Sequence, residues 1–234
     1  MSGSWPGCWC SNGWHSGGGH ELPCLSGCYW QGSEPAWREF CAELRQCFPA
    51  IQLPDVAKSW QGEASLSEIA ARINTTGDEC FVLVAGCHFV TATPDATQPA
   101  GESAVLWLVA REGDAWLTRG EVYEGAAVEN LPMVCQRAMQ QSGAEKPPDP
   151  CIAFSQPQTP ELAQSGWNSN QYLQDENWGE TGPMEPLIVI ALAAIFAARF
   201  HQPCGWIARD PRHTLSLGIV TASAPASHSQ DEKE

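Results

Sequence analysis

The sequence predicts an α+β fold in which antiparallel sheet packs against helices, with a hydrophobic central helix near residues 186–200. Three observations lead there. Residues 187–198 are twelve consecutive apolar residues without a hydrogen-bonding side chain. Short apolar or alternating runs at 80–85, 87–92, 105–110 and 215–220 read as strands, and segments of helical period lie among them. At 1.5 Å per residue the apolar run reaches about 18 Å as a helix, against roughly 30 Å for a bilayer core. It is therefore read as a buried helix and not as a membrane span. Because it has no polar stripe, sheet, helices or a second subunit must cover it on both sides. A charge at Ile190 or Ile195 should then be among the most damaging substitutions.

The elements follow in order. Residues 1–23, rich in Gly, Trp, Cys and Ser, show neither period and are expected to form a flexible arm, as residues 223–234 form a disordered tail. Cys24–Trp30 reads as an opening strand that Gly27 weakens. Ser33 caps a helix with Pro35 in its first turn, where a missing N–H costs little. Trp37, Phe40, Cys41, Leu44 and Phe48 line its buried face, and Pro49 ends it. A shorter helix starts at Ser65, with Glu68 completing a capping box. Leu66, Ile69, Ala70 and Ile73 face inward, and Gly77 terminates it.

Cys80–Ala85 and Cys87–Ala92 read as strands parted by a bulge or turn at Gly86. Val105–Ala110 and Ala115–Thr118 are expected to pair as a hairpin around Gly113. Asn130 begins and Gly143 stops a helix over Pro132–Ser142. Pro147–Pro150 is the clearest linker, dividing residues 24–146 from 147–222 as two subdomains sharing one core. A strand at Cys151–Phe154 and a small helix capped by Thr159 come next. The apolar helix closes before Pro203, and Gly205–Ala208 with Leu215–Val220 form a second hairpin around Asp210–Pro211. No repeat of fixed period is visible.

Charge narrows the partner classes. Twelve Lys and Arg face 27 Asp and Glu, a net charge of −15. That balance excludes non-specific affinity for nucleic acid or an anionic membrane, which needs clustered positive charge. Between Lys146 and Arg199 there is no basic residue, while Asp149, Glu161, Asp175, Glu176, Glu180 and Glu185 all lie there. A solvated acidic face or a docking surface for a basic protein both account for this. The first twenty residues show no basic n-region and no apolar h-region, so the cytoplasm is the expected compartment and the eleven cysteines are expected as thiols.

Candidate sites are few. Cys8, Cys10, His15, His20, Cys24 and Cys28 supply soft ligands that could hold zinc, but their spacing matches no paired-knuckle pattern, so no cofactor is assigned. A thiol enzyme would draw on Cys204, with His201 or His213 as base and Asp210 as orienting carboxylate. Cys204 follows a helix C-terminus, the wrong end of the dipole to favour a thiolate. Residues 166–178, GWNSNQYLQDENW, interleave aromatics with amides and acids. Trp167, Tyr172, Asp175, Glu176, Trp178 and Glu180 are the candidate partner-binding residues, aromatics giving area and acids meeting a partner's Arg or Lys. The competing reading is a long loop whose tryptophans pack on the core. Nucleotide-binding patterns are absent.

These features lead to an expectation of a non-catalytic acidic module that inhibits or regulates a partner with a basic surface, as an immunity protein does. The rivals are a cysteine-dependent enzyme with its site at residues 201–213, and a structural subunit of a larger assembly.

Overall fold

The structure is a computed structural model and describes residues 24–76, 80–90, 101–125, 130–154, 159–167, 172–174, 178–179, 181–210 and 212–222. The expected N-terminal arm and C-terminal tail lie outside these residues.

Two sheets organise the chain. The first is built from β1 (Cys24–Gln31), β2 (Lys58–Ser59), β3 (Cys80–Val90) and β4 (Gly101–Val109) in the order β2-β1-β3-β4. Helices α1 (Glu34–Cys47) and α2 (Glu63–Thr75) carry the chain across it. Each crossover returns the chain to the same end of the sheet, so β1 runs parallel to β2 and β3, and only β3–β4 is antiparallel. The sheet is mixed, where the sequence led us to expect an antiparallel one. The second sheet holds β5 (Trp116–Leu117), β6 (Glu121–Tyr123), β7 (Cys151–Ile152), β8 (Cys204–Ala208) and β9 (Leu215–Thr221). Its order is β5-β9-β8-β7, with β6 also on β9, and β7 parallel to β8. Helices α3 (Leu131–Ser142), α4 (Pro160–Gln164) and α5 (Glu185–Phe200) complete the fold.

Strand alternation sorts these elements into five layers. On the first sheet, Cys28, Trp30, Leu83 and Ala85 face outward under Trp37 and Cys41 of α1. Tyr29, Val82 and Val84 face inward onto α2 and α5. On the second sheet, Cys204, Trp206 and Val220 meet α5 from the other side, while Ile207, Leu217 and Ile219 face Val134, Cys135 and Ala138 of α3. The stack is α1, sheet, α2 with α5, sheet, then α3 with α4.

The apolar helix therefore occupies the middle layer, as its composition requires. Leu187 to Ile190 are each 2% exposed or less. Coverage fails toward its C-terminus, where Ile195 is 62% exposed. The burial on which the expectation of damage from a charge rests is found at Ile190 and not at Ile195.

Local signals act as read. Ser33 caps α1, its hydroxyl accepting from the Ala36 amide, and Asn130 caps α3 by accepting from Met133. Gly143 ends α3 in the left-handed region. Other expectations are corrected. Helix α2 begins at Glu63, with Gly62 as its cap at φ 62 and ψ −134, a backbone conformation that glycine reaches without steric cost. The Ser65 hydroxyl accepts from the Gln61 amide and Glu68 pairs with Lys58, so the expected capping box does not form. Strand β3 runs unbroken through Gly86; the irregularity lies in β1 between Leu25 and Gly27. Gly86 instead provides room, because a Cβ there would lie 2.6 Å from the Gln31 carbonyl oxygen and 2.8 Å from Met184 Sδ.

The hairpin expected between 105–110 and 115–118 does not form. Strand β4 pairs with β3, and β5 pairs with β9 of the other sheet, so residues 110–115 carry the chain from one sheet to the other. The change of sheet thus falls before Trp116, and not at Pro147–Pro150. That proline segment is built into the second sheet: Pro148 and Pro150 are buried, and the Pro150 carbonyl accepts from the Gly205 amide at 2.9 Å.

Candidate functional site

One polar cluster lies where the β8–β9 loop meets the residues preceding α2. Asp210 directs that loop. Its Oδ1 accepts from the amides of Arg212 (2.9 Å) and His213 (3.1 Å) and lies 2.9 Å from His213 Nδ1. The carboxylate is 1% exposed and the imidazole 34%, so a buried acid holds an accessible ring. The loop is tied down on both sides. Glu185, 3% exposed at the start of α5, accepts from Arg209 through its amide at 2.9 Å and its Nε at 2.7 Å. Arg212 donates to Gln61 Oε1 at 2.8 Å, joining the loop to the residue before Gly62. Gln61 also donates to Ser59 Oγ at 3.2 Å.

Such an arrangement can orient an imidazole for proton transfer, or present a guanidinium and an amide to a ligand. The sequence singled out Asp210 and His213, and the structure brings them together. It separates the other members of the proposed thiol set. Cys204 starts β8 and Asp210 follows its end, roughly 20 Å apart along extended chain. Cys204 is fully buried, and burial pushes its thiol from an ordinary 9.0 to about 12. His201 is exposed at the C-terminal cap of α5, at φ 53. Gln61, Ser59 and Arg212 were missed. The pair Gln61–Arg212 is 151 residues apart in the chain, and the one local signal was Gly62 ahead of the helical pattern.

The other buried thiols behave alike. Burial raises Cys28 to about 12, Cys135 to about 11, and Cys151 well above its ordinary value. Cys41 and Cys87 are raised for the same reason. Of the proposed zinc ligands, Cys8, Cys10, His15 and His20 lie outside the described residues. Cys28 is buried beside Cys41 beneath α1, and Cys24 begins β1. No group of three or more His, Cys, Asp or Glu is placed to hold a metal among the described residues.

The aromatic loop is anchored inward. Trp167 is 1% exposed in the cluster formed by α3, α4 and the second sheet, so it is a core residue and supplies no contact area. Its burial corrects the expectation of a surface role. Tyr172 and Trp178 are partly buried, their rings edge-on to Phe196 (6.4 Å) and Phe154 (6.1 Å). Gln174 donates its amide to the carbonyls of Ala153 and Phe154. Asp175, Glu176 and Glu180 lie outside the described residues.

The chain matches no family model, and it matches no curated protein. Among solved structures it is similar to ChlB3, described as an acyltransferase, with a TM-score of 0.52. The match covers 88% of this chain and 80% of that one at 16% identity. The likeness concerns the fold.

Proposed function

We propose that this chain is a non-catalytic acidic module, acting in the cytoplasm, that binds and regulates or inhibits a protein with a basic surface, as an immunity protein does. One observation carries the reading: 27 acidic against 12 basic residues, with no Lys, Arg or His from residue 147 to 198. An excess of one sign steers a partner of the other and speeds encounter. Within that stretch Glu185 is consumed by Arg209, while Asp149 and Glu161 are exposed. Tyr172 and Trp178 keep accessible edges beside Asp175, Glu176 and Glu180 in the sequence, the mixture that lends a contact its lifetime.

Affinity isolation from the native cell at stepped salt tests the proposal. A basic partner should co-isolate and be released as salt rises, since exposed charge pairs are screened. Asp175→Lys with Glu176→Lys should weaken the complex at least tenfold, and Trp178→Ala should shorten its lifetime. Loss of no partner on charge reversal, or retention independent of salt, contradicts it.

The His213–Asp210 pair favours a second reading, an acid/base enzyme on an acyltransferase-like scaffold. A pH-dependent reaction abolished by His213→Gln in a normally folded variant would establish that reading.

A further inference from the structure

Among the described residues the middle layer lies open along one side. There the end strands of the two sheets, β4 and β5, flank a cleft of about 460 Å³. Ile69 and Ile73 of α2 and Ile190 and Ala194 of α5 floor it, with Trp107 and Leu117 on its walls. Its charged lining residues, Arg111 and Arg119 against Glu112 and Asp114, cancel, so the cleft favours neither sign of charge. An apolar cavity of about 150 Å³ takes up one benzene, so this cleft has room for about two indole rings.

We propose that the N-terminal segment of the same chain fills it, with two of Trp5, Trp9 and Trp14 entering the cleft. Position and composition select this occupant. Cys24 opposes Cys80 of β3, two residues before Val82, which opposes Val109 at the end of β4. Strand β1 therefore starts level with the cleft, two strand spacings or about 10 Å from β4. Hydrogen bonds join the two places. Arg72 of α2 donates to the Ser26 carbonyl, and Arg111 donates at 3.0 Å to that of Asn74, which lines the cleft. From Trp14 to Cys24 the chain reaches up to about 33 Å, ample for the crossing. The C-terminal segment also starts beside the cleft, since Thr221 pairs with Trp116 and Val220 lines it. Residues 223–234, however, include no Trp, Tyr, Phe, Leu, Ile, Val or Met, and four of them are charged. Residues 1–20 hold three tryptophans and no Asp, Glu, Lys or Arg. A tethered segment acts at about millimolar concentration, so an affinity of only about 0.1 mM keeps it docked about nine-tenths of the time. A free apolar molecule at micromolar level would have to bind about 1000-fold more tightly to displace it. This inference does not depend on the acidic binding surface.

Hydroxyl-radical footprinting of the full chain, read residue by residue by mass spectrometry, tests it. Ala194→Phe fills the cleft from its floor and should release the segment. Two of Trp5, Trp9 and Trp14 should then be oxidised about tenfold faster than in the wild-type chain, as the docked fraction implies. Replacing all three tryptophans with Ser should in turn raise the labelling of Trp107 and Leu117, which decides the matter from the other side if Ala194→Phe fails to fold. Protection should be the same from about 1 to 100 μM protein, because the tether sets the local concentration. Three freely reactive tryptophans in the wild-type chain would overturn the proposal. So would protection that persists in a folded Ala194→Phe variant, or unchanged labelling of the cleft when the tryptophans are removed. Protection that grows with protein concentration would place the segment on a second copy and overturn it as well.

Discussion

Asp210 collects two backbone amides and the His213 ring on one carboxylate oxygen, and that oxygen shapes the β8–β9 loop. Replacing it with Ala leaves those donors unpaired, so Asp210→Ala should destabilise the fold by about 1–3 kcal/mol in chemical denaturation. The Asp-Pro turn and a histidine three residues on were legible because the pattern is local. The contact of Arg212 with Gln61 was not, since only the completed fold brings those segments together. Trp167 teaches the same lesson: its polar stretch left a contact surface and a core-packed ring both open, and only its enclosure by α3 and α4 decides for the core.

The buried thiols make a pH-dependent prediction. Cys28, Cys135 and Cys204 stay protonated in the fold up to about 12, 11 and 12, whereas an exposed thiol ionises near 9.0. The folded chain therefore holds more protons than the unfolded chain between these values. Stability is fully present below pH 9 and is lost as pH rises toward 11–12, by up to about 1.4 kcal/mol per pH unit for each thiol. Denaturant midpoints measured from pH 7 to 11 should fall through this window, and replacing Cys204 with Ala should flatten the slope. A midpoint constant to pH 11 would contradict the burial of these groups.

At the scale of elements, α5 governs the architecture. Its N-terminal residues are enclosed by both sheets, so Ile190→Asp should cost at least about 3 kcal/mol, because an uncompensated charge is left buried. Lys at Ile195, which is mostly exposed, should cost the folded monomer no more than about 0.5 kcal/mol. Equal effects at the two positions, read from urea unfolding, would show that the helix is not held between the sheets. Twelve apolar residues without a polar stripe announced this burial, and the caps at Ser33 and Asn130 announced the helix starts. Strand partners were another matter. Val105–Ala110 and Ala115–Thr118 carry good hairpin signals, yet they enter different sheets, because long-range packing on α5 outweighs a short loop. The Pro147–Pro150 segment misled similarly: proline marks a turn, but only the fold reveals that Pro148 lies against Gly205, where a Cβ would sit 2.5 Å from its Cγ.

For the whole molecule, a five-layer fold coexists with several thiols that burial keeps protonated and with a strongly acidic composition. The proposed role is recognition of a basic partner, drawn from that composition. On that proposal the chain binds and does not transfer acyl groups. Incubation of the purified chain with an acyl thioester, followed by intact-mass measurement and assay of thioester loss, tests this most directly. The account expects an unchanged protein mass and thioester consumption no faster than in buffer. A single acyl group per chain, mapped to one residue and turned over, would contradict it.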